Sequence, residues 1–483
     1  VSYEKFVESK VSVHVEAGIE DVGELAAHLY PYQREIVTWA LKRGRAAVFA
    51  DCGLGKTPMQ LEWARHVQLH TGGVVMIIAP LAVVPQTVRE GAKFGVPVKQ
   101  VRTPEQMDGP GIYAVNYDVL EKFTGLDVAG VVLDESSILK NFTGTIRNQL
   151  VDMFSKTPYR LACTATPAPN DHTELANHAE FLGILSRAEM LATYFINDTS
   201  DTGEWRLKGH AEGEFWRWMA SWSVAMRRPQ DLGYDVCGFD LPPLTMREHI
   251  VAVDHTTAHG DGLLFRIEAR GLSDLRTEMR DSAPARAAKV AELVAADPDE
   301  SWVIWCHTNA EADLLVKSIP GAVEVRGSDD PDEKADKLNR FSSGDIKILV
   351  TKPSIAGFGM NWQHCARVAF VGLSHSWEQW YQAVRRCWRH GQTREVVCHI
   401  VAAETEGAVV ASIKGKQAAA DEMALAMIGA MAETSRENVR GVTRDVNTYE
   451  RDVASGKGWT MHLGDCVDVA RGLADESIDA SIF

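Results

Sequence analysis

Short apolar runs recur along the chain, separated by stretches in which apolar residues return every three or four positions. In the first half the runs are "AAVFA" (46–50), "VVMIIAP" (74–80), "GIYAVN" (111–116), "GVVLDE" (130–135) and "YRLACTAT" (159–166). In the second half they are "SWVIWC" (301–306), "GAVEVRG" (321–327), "KILVT" (347–351), "ARVAFVG" (366–372) and "EVVCHIVA" (395–402). Runs of this length without internal alternation predict strands buried on both faces. Strands alternating with helical stretches predict parallel sheets covered by helices. The expected fold class is therefore α/β, with two parallel-sheet domains in tandem.

Between about 181 and 300 the rhythm gives way to Trp- and Arg-rich helical patterns. The residues from 433 to 457 are polar and patternless and read as a linker. A final strand–helix–strand pattern, "TMHLGDCVDVARGLADESIDASIF", occupies 460–483. The apolar helix "QAAADEMALAMIGAMAE" (417–433) is expected to pack on the second sheet. In "EFWRWMASWSVAMRR" (214–228), Phe215, Met219, Trp222 and Met226 recur at helical spacing and read as a core stripe. Trp218, Arg227 and Arg228 are left as candidate nucleic-acid contacts.

Composition narrows the classes of function. The hydrophobic share is 45% and the charged share 24%, as in globular proteins rather than disordered ones. The formal net charge of −16 argues against a general nucleic-acid coat but leaves room for a cleft with local positive charge. The eight cysteines stand singly, with no CxxC pair, so neither a zinc ribbon nor a redox dithiol is indicated. Cys387 and His390, three apart, have no second pair with which to hold a metal. Dispersed cysteines suit a reducing compartment, and a cytoplasmic location is expected. The longest apolar run, 74–84, is too short for a membrane span and contains Pro80. The N-terminus has no signal-peptide pattern and no initiating Met, and the chain is expected to be a piece of a longer one.

The chemistry begins at "AVFADCGLGKT" (47–57), placed after a strand and before the helical pattern "PMQLEWARHVQL". In that setting a glycine-rich loop turns its backbone N–H groups onto phosphates. Gly53, Leu54, Gly55, Lys56 and Thr57 form the expected cradle, with Lys56 reaching the β- and γ-phosphates and the Thr57 hydroxyl ligating Mg²⁺. In "VVLDESSILKN" (131–141), Asp134 and Glu135 stand at the C-terminal edge of a strand, where such sheets bind ligands. Asp134 is expected to hold Mg²⁺, and Glu135 to orient the attacking water and accept its proton. Gln33, in "LYPYQREIVTWAL" (29–41), offers an amide able to pair with adenine, which selects ATP.

"QAVRRCWRHGQ" (382–392) resembles the sixth motif of superfamily 2 helicases, QxxxRxxRxGQ, with Gln382, Arg386 and Arg389 in register. Ala50 stands where the general phosphate loop has its first glycine, and the resulting form, AxxGxGKT, also resembles that superfamily. Arg386 and Arg389, at i and i+3, are expected on one helix face, aimed at the γ-phosphate from the second domain. Further blocks resemble Swi/Snf-type ATPases in the same order: "IIAPLAVVPQTVRE" (77–90), "YAVNYDVL" (113–120), "LACTATPAPND" (161–171), "LPPLTMREHIV" (241–251), and "ILVTKPSIAGFGMNWQHC" (348–365) with Gly357, Gly359 and Asn361 in register. The "LDESSILKN" and "RRPQDLGY" blocks resemble phage and prophage helicase-like ATPases. Motif II departs from the Swi/Snf pattern, since Ser137 replaces a histidine that links it to motif VI.

The resemblance, over about residues 20–415, implies two RecA-like domains in tandem with helical insertions. It also implies ATP and Mg²⁺ as ligands, with Gly359 at the nucleotide. Double-stranded DNA is then the expected partner, tracked along its backbone. Loop residues Pro80, Asn116 and Thr351 are candidate DNA contacts. The expected boundaries are 1–245 for domain 1, with its insertion at about 181–235, 246–432 for domain 2, 433–457 for the linker and 458–483 for a third unit. That third unit resembles the segment preceding the catalytic loop of DNA amino-methyltransferases and stops before any [DSN]PP[YF] motif. A DNA translocase fused to a DNA methyltransferase, in a phage or mobile-element modification or defence setting, is the expectation. An ATP-gated clamp with little turnover and an RNA helicase are the alternatives.

Overall fold

The computed structural model describes residues 18–198, 204–236, 238–252, 272–356, 360–372, 376–404, 407–439, 452–456 and 459–463. The chain divides into two units, Val1–Met431 and Ala432–Phe483. The first holds two wholly parallel sheets, as the alternation of strand and helix predicts. In chain order the strands of the first sheet are β1 (Arg45–Ala50), β2 (Val74–Ala79), β3 (Val98–Gln100), β4 (Gly111–Asn116), β5 (Gly130–Asp134) and β6 (Tyr159–Cys163). The β7 (Phe195–Asp198) and β8 (Glu204–Leu207) pair forms a separate antiparallel hairpin, and β9 (Ser223–Met226) rejoins the first sheet. The order across that sheet is β3-β4-β2-β5-β6-β1-β9.

Parallel pairing places Val48 beside Cys163 and Cys163 beside Asp134, so the ends of β1, β6 and β5 share one edge. Alternate residues feed two cores. Ala47 and Phe49 face one with Met76, Leu133 and Trp222, while Ala46 and Val48 face the other with Trp63, Val132 and Leu161. That two-sided burial is why these strands read as unbroken apolar runs.

The second sheet comprises β10 (Leu244–Val251), β11 (Trp302–Trp305), β12 (Ala322–Glu324), β13 (Ile348–Thr351), β14 (Arg367–Val371) and β15 (Val396–Ala403), ordered β10-β15-β14-β11-β13-β12. We call the two sheets with their helices lobe 1 and lobe 2. The fold is thus α/β with two RecA-like parallel-sheet domains in tandem.

Three expectations are corrected. The core stripe holds at Phe215, Met219 and Trp222 on the helix Glu212–Trp222, but that helix stops there. Met226 lies on β9, a seventh strand of the first sheet. The helix Gly407–Val439 does not pack on the second sheet alone. Val409, Val410 and Ile413 enter the core of lobe 2, whereas Met423, Met427 and Ala430 enter that of lobe 1. It is a strap across both. The arginines of the motif VI stretch do not share a helix face either. The helix Trp377–Val384 ends before them, and the chain passes through turns closed by Arg386 N–H to Ala383 O at 3.2 Å and Trp388 N–H to Val384 O at 3.0 Å.

The polar stretch 433–457 carries the end of the strap helix and the strand β16 (Asp452–Gly456), which pairs antiparallel with β17 (Trp459–Leu463). The remainder of the methyltransferase-like pattern, 464–483, lies outside the described residues. So do Gly357 and Gly359.

Candidate nucleotide-binding cleft

After β1 the chain must reverse within five residues before the helix Lys56–Thr71 begins. Gly53 and Gly55 make this possible with φ of 90° and 72°. The loop is braced from behind. Leu54 O accepts from the Tyr32 hydroxyl at 3.0 Å and from Gln33 Nε2 at 3.1 Å, and Gln33 Oε1 accepts from Tyr30 N–H at 3.0 Å. Gln33 and Leu54 are therefore buried supports of the loop rather than lining of the cleft.

The cleft is lined by Cys52, Gly53, Gly55, Lys56 and Thr57 from the loop and by Asp134 and Glu135 from the end of β5. Asn361, Arg386 and Arg389 line it from lobe 2. Residues more than 300 positions apart thus meet in one cavity. The Lys56 ammonium donates to Ala50 O at 2.8 Å. Asp134 Oδ1 accepts from Gln60 Nε2 at 2.8 Å, an amide that pattern reading missed although it lies four residues after Lys56. Burial raises the Asp134 carboxyl above its ordinary range, against the pull of Gln60 and of Lys56. Glu135 is held at φ 52°, the one described non-glycine residue in the left-handed region. Burial pushes its carboxyl up to about 7; the Lys56 charge opposes this and Asp134 reinforces it.

Arg389 Nη1 donates to Met360 O at 3.0 Å, and Arg386 donates from Nε to Gln382 O at 2.9 Å and from Nη1 to Met360 O at 3.4 Å. Gln382 is buried, with neither amide atom paired among the described residues. Burial lowers the Arg389 guanidinium to about 10, which leaves it charged at neutral pH.

Other residues join the motif II segment to lobe 2. Glu378, on the helix Trp377–Val384, forms an ion pair with Lys140 and accepts from Thr166 Oγ1 at 3.4 Å. Ser136 bonds instead within lobe 1, to His178 Nε2 at 3.0 Å. Arg227 pairs with Asp421 on the strap and Arg228 with Asp231, so both candidate DNA-contact arginines have internal partners. Trp218 stacks on Tyr194 at 5.4 Å.

The lining fits a nucleoside triphosphate with Mg²⁺. Lys56, Arg386 and Arg389 supply positive charge. Glu135 Oε2 and Arg389 Nε are buried without partners among the described residues. Thr57 and Asp134 are hard oxygen donors on one wall, the set Mg²⁺ uses when phosphates and water complete its shell. No three His, Cys, Asp or Glu side chains converge among the described residues, and that mode of binding needs none.

Residues 285–391 match the family Helicase conserved C-terminal domain. The match spans β11 to β14 and Arg386 and Arg389. A search of curated proteins finds no match. Among solved structures, the chain is similar to the Sulfolobus solfataricus SWI2/SNF2 ATPase core in complex with dsDNA, at 20% identity, covering 88% of this chain and 99% of that one. The TM-score is 0.41. No helix among the described residues is long and apolar enough to cross a membrane.

Proposed function

We propose that the chain hydrolyses ATP in the cleft between its lobes and uses the cycle to move along duplex DNA. One observation carries the reading: Lys56 and Glu135 of lobe 1 and Arg386 and Arg389 of lobe 2 line a single cavity. Water attacks the γ-phosphorus, the bond to the β–γ bridging oxygen breaks, and Glu135 takes the water's proton. Lys56 and the two arginines stabilise the charge spread over the transferred group. Thr57 and Asp134 would hold Mg²⁺, which would supply charge neutralisation to the phosphates. Gln33 reads adenine by exchanging its hold on Leu54 O for the base, and the motif resemblance assigns Gly359 to nucleotide binding.

Loss of the γ-phosphate removes what draws Lys56 and the arginines together, and the lobes relax. A duplex held differently in the two states is displaced. Duplex DNA is assigned from the Swi/Snf-type motif order, and the helicase-domain match over residues 285–391 supports a motor of this class. The same motif reading sets domain 1 at 1–245, domain 2 at 246–432, a methyltransferase-like unit from 458 and a phage or mobile-element setting, while the dispersed cysteines point to a cytoplasmic location.

Phosphate release with and without duplex DNA, single strands and RNA tests the proposal. Duplex DNA is expected to stimulate turnover most. Lys56→Ala is expected to abolish turnover, and Arg389→Ala to lower it by about 10³-fold or more. Turnover that survives Arg389→Ala intact sinks the motor reading. Rates near zero with every nucleic acid point to a clamp, and preference for RNA to an RNA helicase.

A further inference from the structure

Of the three arginines in "VRRCWR", Arg385 does not line the cleft. It turns the other way, across the lobe boundary, and pairs with Asp51 at the start of the phosphate loop. Its Nη2 also donates to Cys52 O at 3.2 Å. Tyr381, one helical turn before it, donates its hydroxyl to Asp51 Oδ1 at 2.5 Å. The guanidinium lies 5.5 Å from the Tyr381 ring centroid and 4.7 Å from that of Trp388, so two aromatic rings fix its plane. The Arg385 side chain is 2% exposed and that of Asp51 15%, so water screens the pair little.

The position of this grip matters more than its strength. Lys56 donates to Ala50 O and, at 3.4 Å, to Asp51 O, so the loop segment 50–52 is held by Lys56 on one side and by Arg385 and Tyr381 on the other. For Lys56 to reach a triphosphate it must leave those carbonyls. Segment 51–52 then keeps the Asp51 N–H bond to Met226 O at 3.0 Å, the local bonds from Cys52 N–H to Asp51 Oδ1 at 2.6 Å and from Leu54 N–H to Asp51 O at 3.4 Å, and its hold on lobe 2. Among the described residues, Nε and Nη1 of Arg385 are buried without a partner.

We propose that Arg385, with Tyr381, is a positioning residue that ties the shape of the phosphate loop to the placement of lobe 2, leaving Arg386 and Arg389 to act on the phosphates. The latch joins the lobes through Asp51, which does not itself line the cleft. When Lys56 shifts, it passes the change in the loop directly to the helix Trp377–Val384. The kinetic part rests on the proposed ATPase function; the latch itself does not.

The full chain is tested as Arg385→Ala, Arg385→Lys, Asp51→Asn and the double Arg385→Ala/Asp51→Asn, with far-ultraviolet circular dichroism to establish folding. Arg385→Ala is expected to lower duplex-stimulated kcat at least tenfold while shifting the affinity for a fluorescent ATP analogue less than about threefold. Asp51→Asn should match it, and the double variant should be no worse than either single one. Arg385→Lys, which keeps the charge but loses the fork, should recover only part of the rate. Small-angle scattering without nucleotide should show Arg385→Ala with a larger radius of gyration than the wild type. A folded Arg385→Ala with wild-type kcat and unchanged scattering overturns the proposal, as do single effects that multiply in the double variant. If the wild type itself shows no turnover, the ATPase reading falls and the scattering comparison alone decides the latch.

Discussion

Single residues set the chemistry of the cleft, and several of them were legible because their pattern is local. A loop of six positions between a strand and a helix announces itself, and so does an acidic pair at a strand end. Arg385 was not legible. Three arginines within five positions have the same composition whichever of them faces the cleft, and only the turns after Val384 separate their directions. His178 was equally silent. It is fully buried behind motif II, bonded to Ser136, and burial lowers its imidazole to about 4. Below about pH 6.5 the unfolded chain takes up a proton that the folded imidazole refuses, so His178 costs stability progressively as pH falls towards 4. Glu174, raised to about 7 by burial, works in the opposite direction, so the informative quantity is a difference. Measured by urea unfolding, His178→Asn should gain on the wild type by on the order of 2 kcal/mol between pH 7 and pH 4.5. A constant offset across that range would mean that His178 takes up its proton in the folded protein as readily as in the unfolded chain.

At the scale of elements, ten of the strands follow from unbroken apolar runs. Those that escaped notice are short, continuous with their neighbours or, like the eight-residue edge strand β10, too exposed and polar to form an apolar run. β3 has three residues, and β9 follows without a break on an aromatic helix. The strap helix shows a different limit. Its periodicity declares an apolar face but not which lobe that face covers, because lobe 1 offers its surface from residues some 200 positions away. Met423 and Met427 are 4% and 2% exposed among the aromatic core of lobe 1, so Met427→Ala should cost about 2–5 kcal/mol in a urea titration. The neighbouring Arg227–Asp421 pair is 38% and 40% exposed, and Asp421→Asn should cost no more than about 1 kcal/mol. Equal losses from the two substitutions would show that the strap is held by charge rather than by packing.

For the molecule as a whole, the decisive feature is how closely the lobes approach at the phosphate loop. A Cβ added to Gly53 would lie 3.1 Å from the backbone nitrogen of His390 and 3.3 Å from its Cβ. Gly95 has a similar positive φ, 74°, but open space around it. Gly53→Ala therefore combines left-handed strain with a wedge between the lobes, whereas Gly95→Ala brings strain alone. ATP turnover should fall at least tenfold for the first and stay near wild type for the second. Loss of activity from both would trace the effect to stability and not to closure.

The same closeness makes Cys52 informative. Its thiol is buried where the lobes meet, whereas the other described cysteines are buried within one lobe or the other. An alkylating reagent should reach Cys52 only while the halves are parted. The native protein thus carries its own reporter of opening, whose modification rate with and without nucleotide or duplex would time the cycle without any introduced label.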